Sequence, residues 1–248
     1  MFESSFREHW EQPALSDYFK NETLTYGDVA VRIAKIHILF RAMDVRAGDK
    51  IAIIGRNNIR WCVAFLATIT YGAVVVPILQ EFNANDVQHI ITHSDSVLLF
   101  ASDVNFEAIE LSQISSLRAS FSLTDLSTQY VSENFERRIS LCDVESKFEK
   151  QYYKGFTAKD IKYHHTPSNQ MVLLSYTSGT TGFSKGVMVS GNNLVGNMPA
   201  VMGIKQILNE WIIFRKSCVF RKISYELARK KDKLHLLKGL SKILLDID

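Results

Sequence analysis

Cysteine is scarce in this sequence, and what there is forms no pattern. Cys62, Cys142 and Cys218 are odd in number, far apart, and share no CxxC or Cys/His ligand spacing. That leaves no disulfide framework and no cysteine-based metal centre, and reads as free thiols in a reducing compartment. Cys142, beside Asp143, has no assignable base and reads as structural. The opening MFESSFREHWEQ lacks a basic segment followed by an apolar one, so nothing marks secretion and the expectation is a cytoplasmic protein. Internal repeats and low-complexity tracts are also missing. The chain is neither poor in apolar residues (46%) nor rich in charge (22%), which excludes a disordered class. Its 248 residues suffice for one substantial domain with a short appendage.

A membrane span is the next class to weigh. Twenty uncharged residues lie between Arg60 and Glu81, long enough to cross a bilayer. Thr68, Thr70, Gly72 and Pro77 interrupt them, and AVVVPIL is β-branched where the preceding half is helix-compatible. A buried helix followed by a buried strand is expected, and no transmembrane span.

The net charge of +3 conceals an asymmetry. Residues 205–248 hold 11 Lys/Arg against 5 Asp/Glu, a net of +6, whereas residues 1–204 hold 18 against 21, a net of −3. Such a shift points to two origins or two jobs within one chain.

Short apolar runs alternate with amphipathic ones through the first two hundred residues, the signature of an α/β fold. Helices are predicted over Asp28–Met43, from a cap at Asn57 or Asn58 to Tyr71 with Gly72 as its stop, over Asn85–His93, and over Phe106–Ile114. Strands are predicted over Lys50–Ile54 after the turn residues Gly48 and Asp49, and over Val74–Leu79, Val97–Phe100 and Ala119–Leu123. Near-continuous apolar strands separated by helices imply a largely parallel sheet covered on both faces. Residues 125–165 read as polar surface structure. Beyond them, MVLLSYT and GVMVS are strands flanking a Gly/Ser/Thr cluster, and Asn192 or Asn193 is placed as a helix cap.

That cluster, TSGTTGFSKG, carries the chemistry. It supplies hydroxyls from Thr177, Ser178, Thr180, Thr181 and Ser184, glycines at Gly179, Gly182 and Gly186, and the ammonium of Lys185. Glycine lets backbone N–H groups approach phosphate oxygens, while hydroxyls and a lysine add donors and charge. The carboxyl end of a strand is where α/β sheets bind ligands. Composition alone also permits a flexible Ser/Gly/Thr loop. A Walker A loop is excluded, since it needs Gly in place of Ser184 and Ser or Thr in place of Gly186, and no G-x-G-x-x-G occurs.

The run LLSYTSGTTGFSKGVM resembles the AMP-binding signature of the adenylate-forming superfamily. LTYGDVA, GDKIAIIGRNN and FLATITYGAVVVPIL are similar to its earlier segments in order and spacing, so the resemblance covers residues 13–203. Among its members the likeness is to bacterial long-chain fatty-acid–CoA ligases. It implies an AMP-forming acyl-CoA synthetase acting on ATP, a carboxylic or fatty acid and CoA, with Mg2+. The carboxylate would attack the α-phosphate to give acyl-adenylate and pyrophosphate, and CoA would then displace AMP. It also implies that Thr177, Ser178, Gly179, Thr180, Thr181, Gly182, Lys185 and Gly186 hold the β- and γ-phosphates by position and charge. Ser184 stands where the family usually has proline, and Gly191 where many members have histidine. The family's adenine, ribose, metal and catalytic-lysine segments are not recognisable after Gly203. No catalytic residue or metal ligand is therefore assigned, and the chain reads as a truncated adenylation domain without independent turnover.

Residues 1–203 are thus read as the N-terminal part of an AMP-binding domain, 204–219 as a junction, and 220–248 as a basic amphipathic helical tail. FRKISYELARKKDKLHLLKGLSKILLDID is similar to a segment of the DNA breakage-reunion subunit of type IIA topoisomerases, matching at Tyr225, Leu227, His235, Gly239, Leu240 and Asp248. Its catalytic parts lie outside that segment, so no cleavage chemistry carries over. A basic nucleic-acid or peripheral membrane contact is one reading of the tail. The favoured one is an apolar face of Leu227, Leu234, Leu237, Leu240 and Leu244 packing on a partner or on the synthetase portion. A non-catalytic nucleotide-binding module and a chimeric fragment remain rival readings of the whole chain. His164 and His165, adjacent in an extended segment, point apart and are not paired as metal ligands. Asp86, His89 and His93 are read as an exposed helix face rather than a metal site.

Overall fold

A computed structural model describes residues 2–102, 109–177, 185–196, 216 and 219–235. The chain divides into two compact units, Met1–Val195 and Gly196–Asp248. The first opens with helix α1 (Phe2–Glu8) and an antiparallel hairpin, β1 (Pro13–Asp17) and β2 (Glu22–Thr25), elements the sequence pattern did not indicate. Then come α2 (Tyr26–Ala42), β3 (Lys50–Ile54), α3 (Ile59–Tyr71), β4 (Val74–Ile78), α4 (Ala84–His93), β5 (Ser96–Ala101), β6 (Ala119–Ser122) and β7 (Thr128–Val131). Helices α5 (Glu133–Ser140) and α6 (Val144–Gln151) follow, then strands β8 (Met171–Thr177) and β9 (Lys185–Ser190) and helix α7 (Gly191–Gly196).

Local chemistry sets the boundaries. Helix α2 starts two residues before the predicted Asp28 because Thr25 and Asp28 close a reciprocal cap. The Thr25 hydroxyl accepts from the Asp28 amide at 3.1 Å, and the Asp28 carboxylate accepts from the Thr25 amide at 2.9 Å. Asn58 caps α3 by accepting from the Trp61 amide at 2.9 Å, and Gly72 ends it in the left-handed region at φ 86°. A Cβ at Gly72 would also collide with the ring of His164. Asn83 caps α4 in the same way as Asn58 caps α3. Part of the predicted helix Phe106–Ile114 lies outside the described residues. Its remainder holds only a 3-10 turn, Leu111–Gln113. The predicted cap of α7 is corrected as well. Ser190 precedes the helix and its hydroxyl accepts from the Asn193 amide at 3.3 Å, while the Asn193 side chain returns to the Ser190 amide.

The main sheet has the order β7-β6-β5-β3-β4-β8-β9. The four inner pairings are parallel, and β7 and β9 close the two edges antiparallel. Alternation on each strand explains the continuous apolar runs. Ile51, Ile53, Leu98, Phe100 and Phe121 face α2 and α3, while Ala52, Ile54, Val76, Leu99 and Ala101 face α4. This is the expected α/β architecture, with helices on both faces. The uncharged run from Trp61 forms α3 and β4, and among the described residues no helix is long and apolar enough to cross a membrane. Within 125–165 the surface expectation holds for most residues, though Ile161 is buried in the core, and the segment carries regular structure. It contributes β7, α5 and α6, and Asp143 caps α6 by accepting from the Ser146 amide at 3.0 Å. In the second unit, residues 219–235 form a helix on which Phe220, Ile223, Leu227 and Leu234 are exposed. Leu237, Leu240 and Leu244 lie outside the described residues.

One buried polar contact joins α2 to α3. His37 Nε2 lies 2.9 Å from the Ala67 carbonyl, to which it donates in the neutral ring, with the Thr70 hydroxyl 3.2 Å away. Burial lowers its pKa from 6.5 to about 4, against the bond to Ala67, which raises it. The folded value lies below the unfolded one, so the neutral imidazole's contribution is full above pH 6.5 and is lost as pH falls toward 4. Stability measured by urea denaturation should therefore fall by about 2 kcal/mol between pH 8 and pH 5 from this group alone. His37→Gln, which keeps a donor for Ala67, should flatten that dependence. Gly72→Ala should cost at least about 1 kcal/mol, because it forces a Cβ into the left-handed region.

Candidate functional site

The antiparallel ladder of β8 and β9 runs from Met171↔Ser190 to Tyr176↔Gly186 and Thr177↔Lys185. The last rung joins the first hydroxyl of the Gly/Ser/Thr cluster to its lysine, so Thr177 and Lys185 form the two ends of one loop. Both are exposed. Ser178, Gly179, Thr180, Thr181, Gly182 and Ser184 lie outside the described residues. Strand β8 lies parallel to β4, with Leu173 opposite Val75. Thr177 therefore emerges beside the carboxyl end of β4, on the side of the sheet where the parallel strands end.

Side chains fix the loop's base. Tyr176 is 4% exposed and packs in the core face shared with α4. Its hydroxyl sits 2.7 Å from Nδ1 of His93, and the two rings meet edge-on with centroids 5.8 Å apart. Burial, and then the charge of Asp95, raise the Tyr176 pKa, so the phenol stays neutral. On its other side Tyr176 covers Gly186. A Cβ there would stand 3.3 Å from the tyrosine Cζ and 3.1 Å from a Leu174 methyl, so glycine permits this close approach. Gly191 is similarly constrained, with the Ser168 carbonyl 3.1 Å from where its Cβ would be.

The structure adds to one sequence expectation. His93 is exposed, as the helix-face reading has it, and it is also joined to Tyr176 across 83 residues of chain. No periodicity could have linked them; the only signal was a tyrosine directly before the loop. His164 binds through its backbone to the Thr70 carbonyl at 2.8 Å. Among the described residues no group of three or more His, Cys, Asp or Glu side chains gathers as a metal site. Burial pushes up the thiol pKa of Cys62 and of Cys142, as suits structural cysteines. A groove of about 400 Å3 lined by Ile38, Arg41, Ala42, Lys147, Lys150 and Gln151 belongs to α2 and α6 and includes none of the loop residues.

Comparison with known proteins gives this geometry a context. The chain is 24% identical over 189 residues to long chain acyl-CoA synthetase 3 of Arabidopsis thaliana, covering 75% of this chain and 28% of that protein. It spans about a third or less of the length of the curated acyl-activating relatives it matches. A second similarity, 38% over 77 residues, is to one of the subunits of DNA topoisomerase 4 of Haemophilus influenzae, covering 31% of this chain and 10% of that protein. Apo MatB from Rhodopseudomonas palustris superposes with a TM-score of 0.57 at 16% identity, over 79% of this chain and 35% of that one, which establishes a common fold. A family model described as AMP-binding enzyme matches residues 2–215. With most of its length inside that match, and with the relatives just named, the chain belongs to the AMP-binding enzyme family and is acyl-CoA synthetase-like.

Proposed function

We propose that this chain supplies the ATP-phosphate-binding portion of an AMP-forming carboxylate–CoA ligase, with a fatty acid as the carboxylate. The observation that carries this reading is the ladder that ends on the rung Thr177↔Lys185 at the carboxyl end of β8. Thr177, Ser178, Thr180 and Thr181 are the hydroxyl donors, and Gly179, Gly182 and Gly186 let the backbone approach. Lys185 is the cation for the β- and γ-phosphates of ATP. These groups bind and orient the nucleotide while the carboxylate attacks its α-phosphate, so their contribution is position and charge.

The names of relatives, fatty acyl-CoA synthetase A of Dictyostelium discoideum among them, support acid and CoA as co-substrates. Mg2+, which would neutralise phosphate charge when bound, is given no ligand among the described residues, and no step is assigned to it. The synthetase portion is taken as 1–203, joined through 204–219 to the tail 220–248, in the cytoplasm. Contacts to adenine, ribose and metal and the catalytic lysine are taken to come from sequence other than this chain. Complete adenylation and thioesterification by these 248 residues alone are accordingly not expected. The similarity to a topoisomerase and the separate second unit favour, as a second reading, a chimeric chain that binds nucleotide without turning it over.

Isothermal titration with MgATP tests the first claim. Lys185→Ala should weaken binding by about tenfold to a hundredfold, the loss of one charge-assisted contact. Equal affinity for the variant and the parent chain would remove the loop from the site. Fatty-acid-dependent ATP–pyrophosphate exchange tests the second. The chain by itself should show none above background, and sustained exchange would prove that it carries the whole adenylation machinery.

A further inference from the structure

Tyr176 touches both strands of the loop's base and a helix behind them. On β8 it immediately precedes Thr177. Across the ladder its partner is Gly186, the residue after Lys185. Its ring closes on the Gly186 backbone at one face, and its hydroxyl reaches His93, the last residue of α4, at 2.7 Å. Around that contact the interface is apolar, with Ile90, Ile91 and Leu174 packed in the same cluster. The ring of Tyr176 is buried while His93 is exposed at the end of α4, so the hydrogen bond ties a core ring to one point on the helix and selects one position of the ring. Fixing the ring fixes the rung beneath it, and with it the spacing of Thr177 and Lys185.

We infer that His93 and Tyr176 form a clamp that sets the geometry of the two ends of the phosphate loop before nucleotide arrives. This rests on the phosphate-binding reading of Thr177 and Lys185. His93 is a positioning residue, since it acts through Tyr176 and touches no phosphate. Preorganisation of this kind raises affinity because the donors need not be ordered at the moment of binding. Nor is the contact replaceable by bulk alone. A leucine at position 93 keeps the bulk and removes the protein partner that fixes the phenol. An asparagine places an amide oxygen or nitrogen where Nδ1 stands and can accept from or donate to the hydroxyl.

The test uses the full chain with His93→Leu, His93→Asn, Tyr176→Phe and the double variant H93L/Y176F. It measures MgATP affinity by calorimetry and amide hydrogen exchange at the rungs Tyr176↔Gly186 and Thr177↔Lys185. Each of H93L and Y176F should weaken MgATP binding by about threefold to tenfold, as expected for one hydrogen bond, and speed exchange at those rungs. The double variant should lose no more than the worse single one, because both changes break the same contact. H93N should return both readouts to within about twofold of the parent chain. Unchanged affinity and exchange in H93L would overturn the clamp, as would failure of H93N to restore what H93L loses. If the parent chain binds no MgATP, the phosphate reading falls, and exchange in H93L against H93N still decides the clamp. Should H93L not fold, Y176F, which keeps the ring on Gly186, carries the same comparison.

Discussion

The parallel pairing of β8 beside β4 is the constraint on which the site depends. A strand added parallel to a sheet delivers its carboxyl end to the edge where the other loops already converge, and Thr177 is that end. Had β8 joined antiparallel, the same hydroxyls and lysine would lie at the opposite edge, away from the ends of β3 and β4. The antiparallel return of β9 then matters as much, because that pairing sets Lys185 opposite Thr177. The inner strands make this arrangement rigid. They are buried on both faces, so sliding β8 by one residue would exchange the sides on which Leu173 and Leu174 pack.

Much of this was readable from residues whose local chemistry decides their conformation. Gly48 and Asp49 announce β3, which occupies Lys50–Ile54 as expected, and Asn58 and Gly72 mark the two ends of α3. Less was readable where few side chains carry the signal. Strands β1 and β2 are short, with Leu24 their one buried residue. Helices α5 and α6 hold so many charged residues that their inward side chains, Phe135, Ile139 and Val144, do not stand out as a period. The start of α2 was displaced because its reciprocal cap uses Asp28 where the commoner pattern has a glutamate. The loop's identity came from its motif, whereas its anchoring did not. His93 and Tyr176 meet through the packing of α4 on the sheet, a fact that exists only once the strand order is known.

The buried polar groups of the first unit divide by what they secure. His37 holds α2 to α3 through the Ala67 carbonyl, and its depressed pKa records the cost of charging a ring enclosed by Phe40, Tyr71 and Tyr163. Tyr176 holds β8 and β9 to α4, and its raised pKa records the same burial acting on a group whose charged form is the anion. The His37 contact is enclosed and that of Tyr176 reaches the surface at His93, and each holds a neutral ring in one geometry. Such contacts add specificity of arrangement more than net stability.

Lys185 contrasts with both. It is exposed, so water competes with phosphate for its ammonium, and the contact strengthens further once solvent is displaced from around the pair. Fixing the ends of the loop can therefore set where phosphate oxygens meet their donors, but the strength of that meeting depends on covering the site. For a chain that spans about a third or less of the curated acyl-activating relatives it matches, a preset loop base with an uncovered lysine should bind nucleotide by charge and position. Such binding weakens as added salt screens the ammonium. A site closed over the phosphates would resist that screening, so salt sensitivity separates the loop's own contribution from whatever covers it.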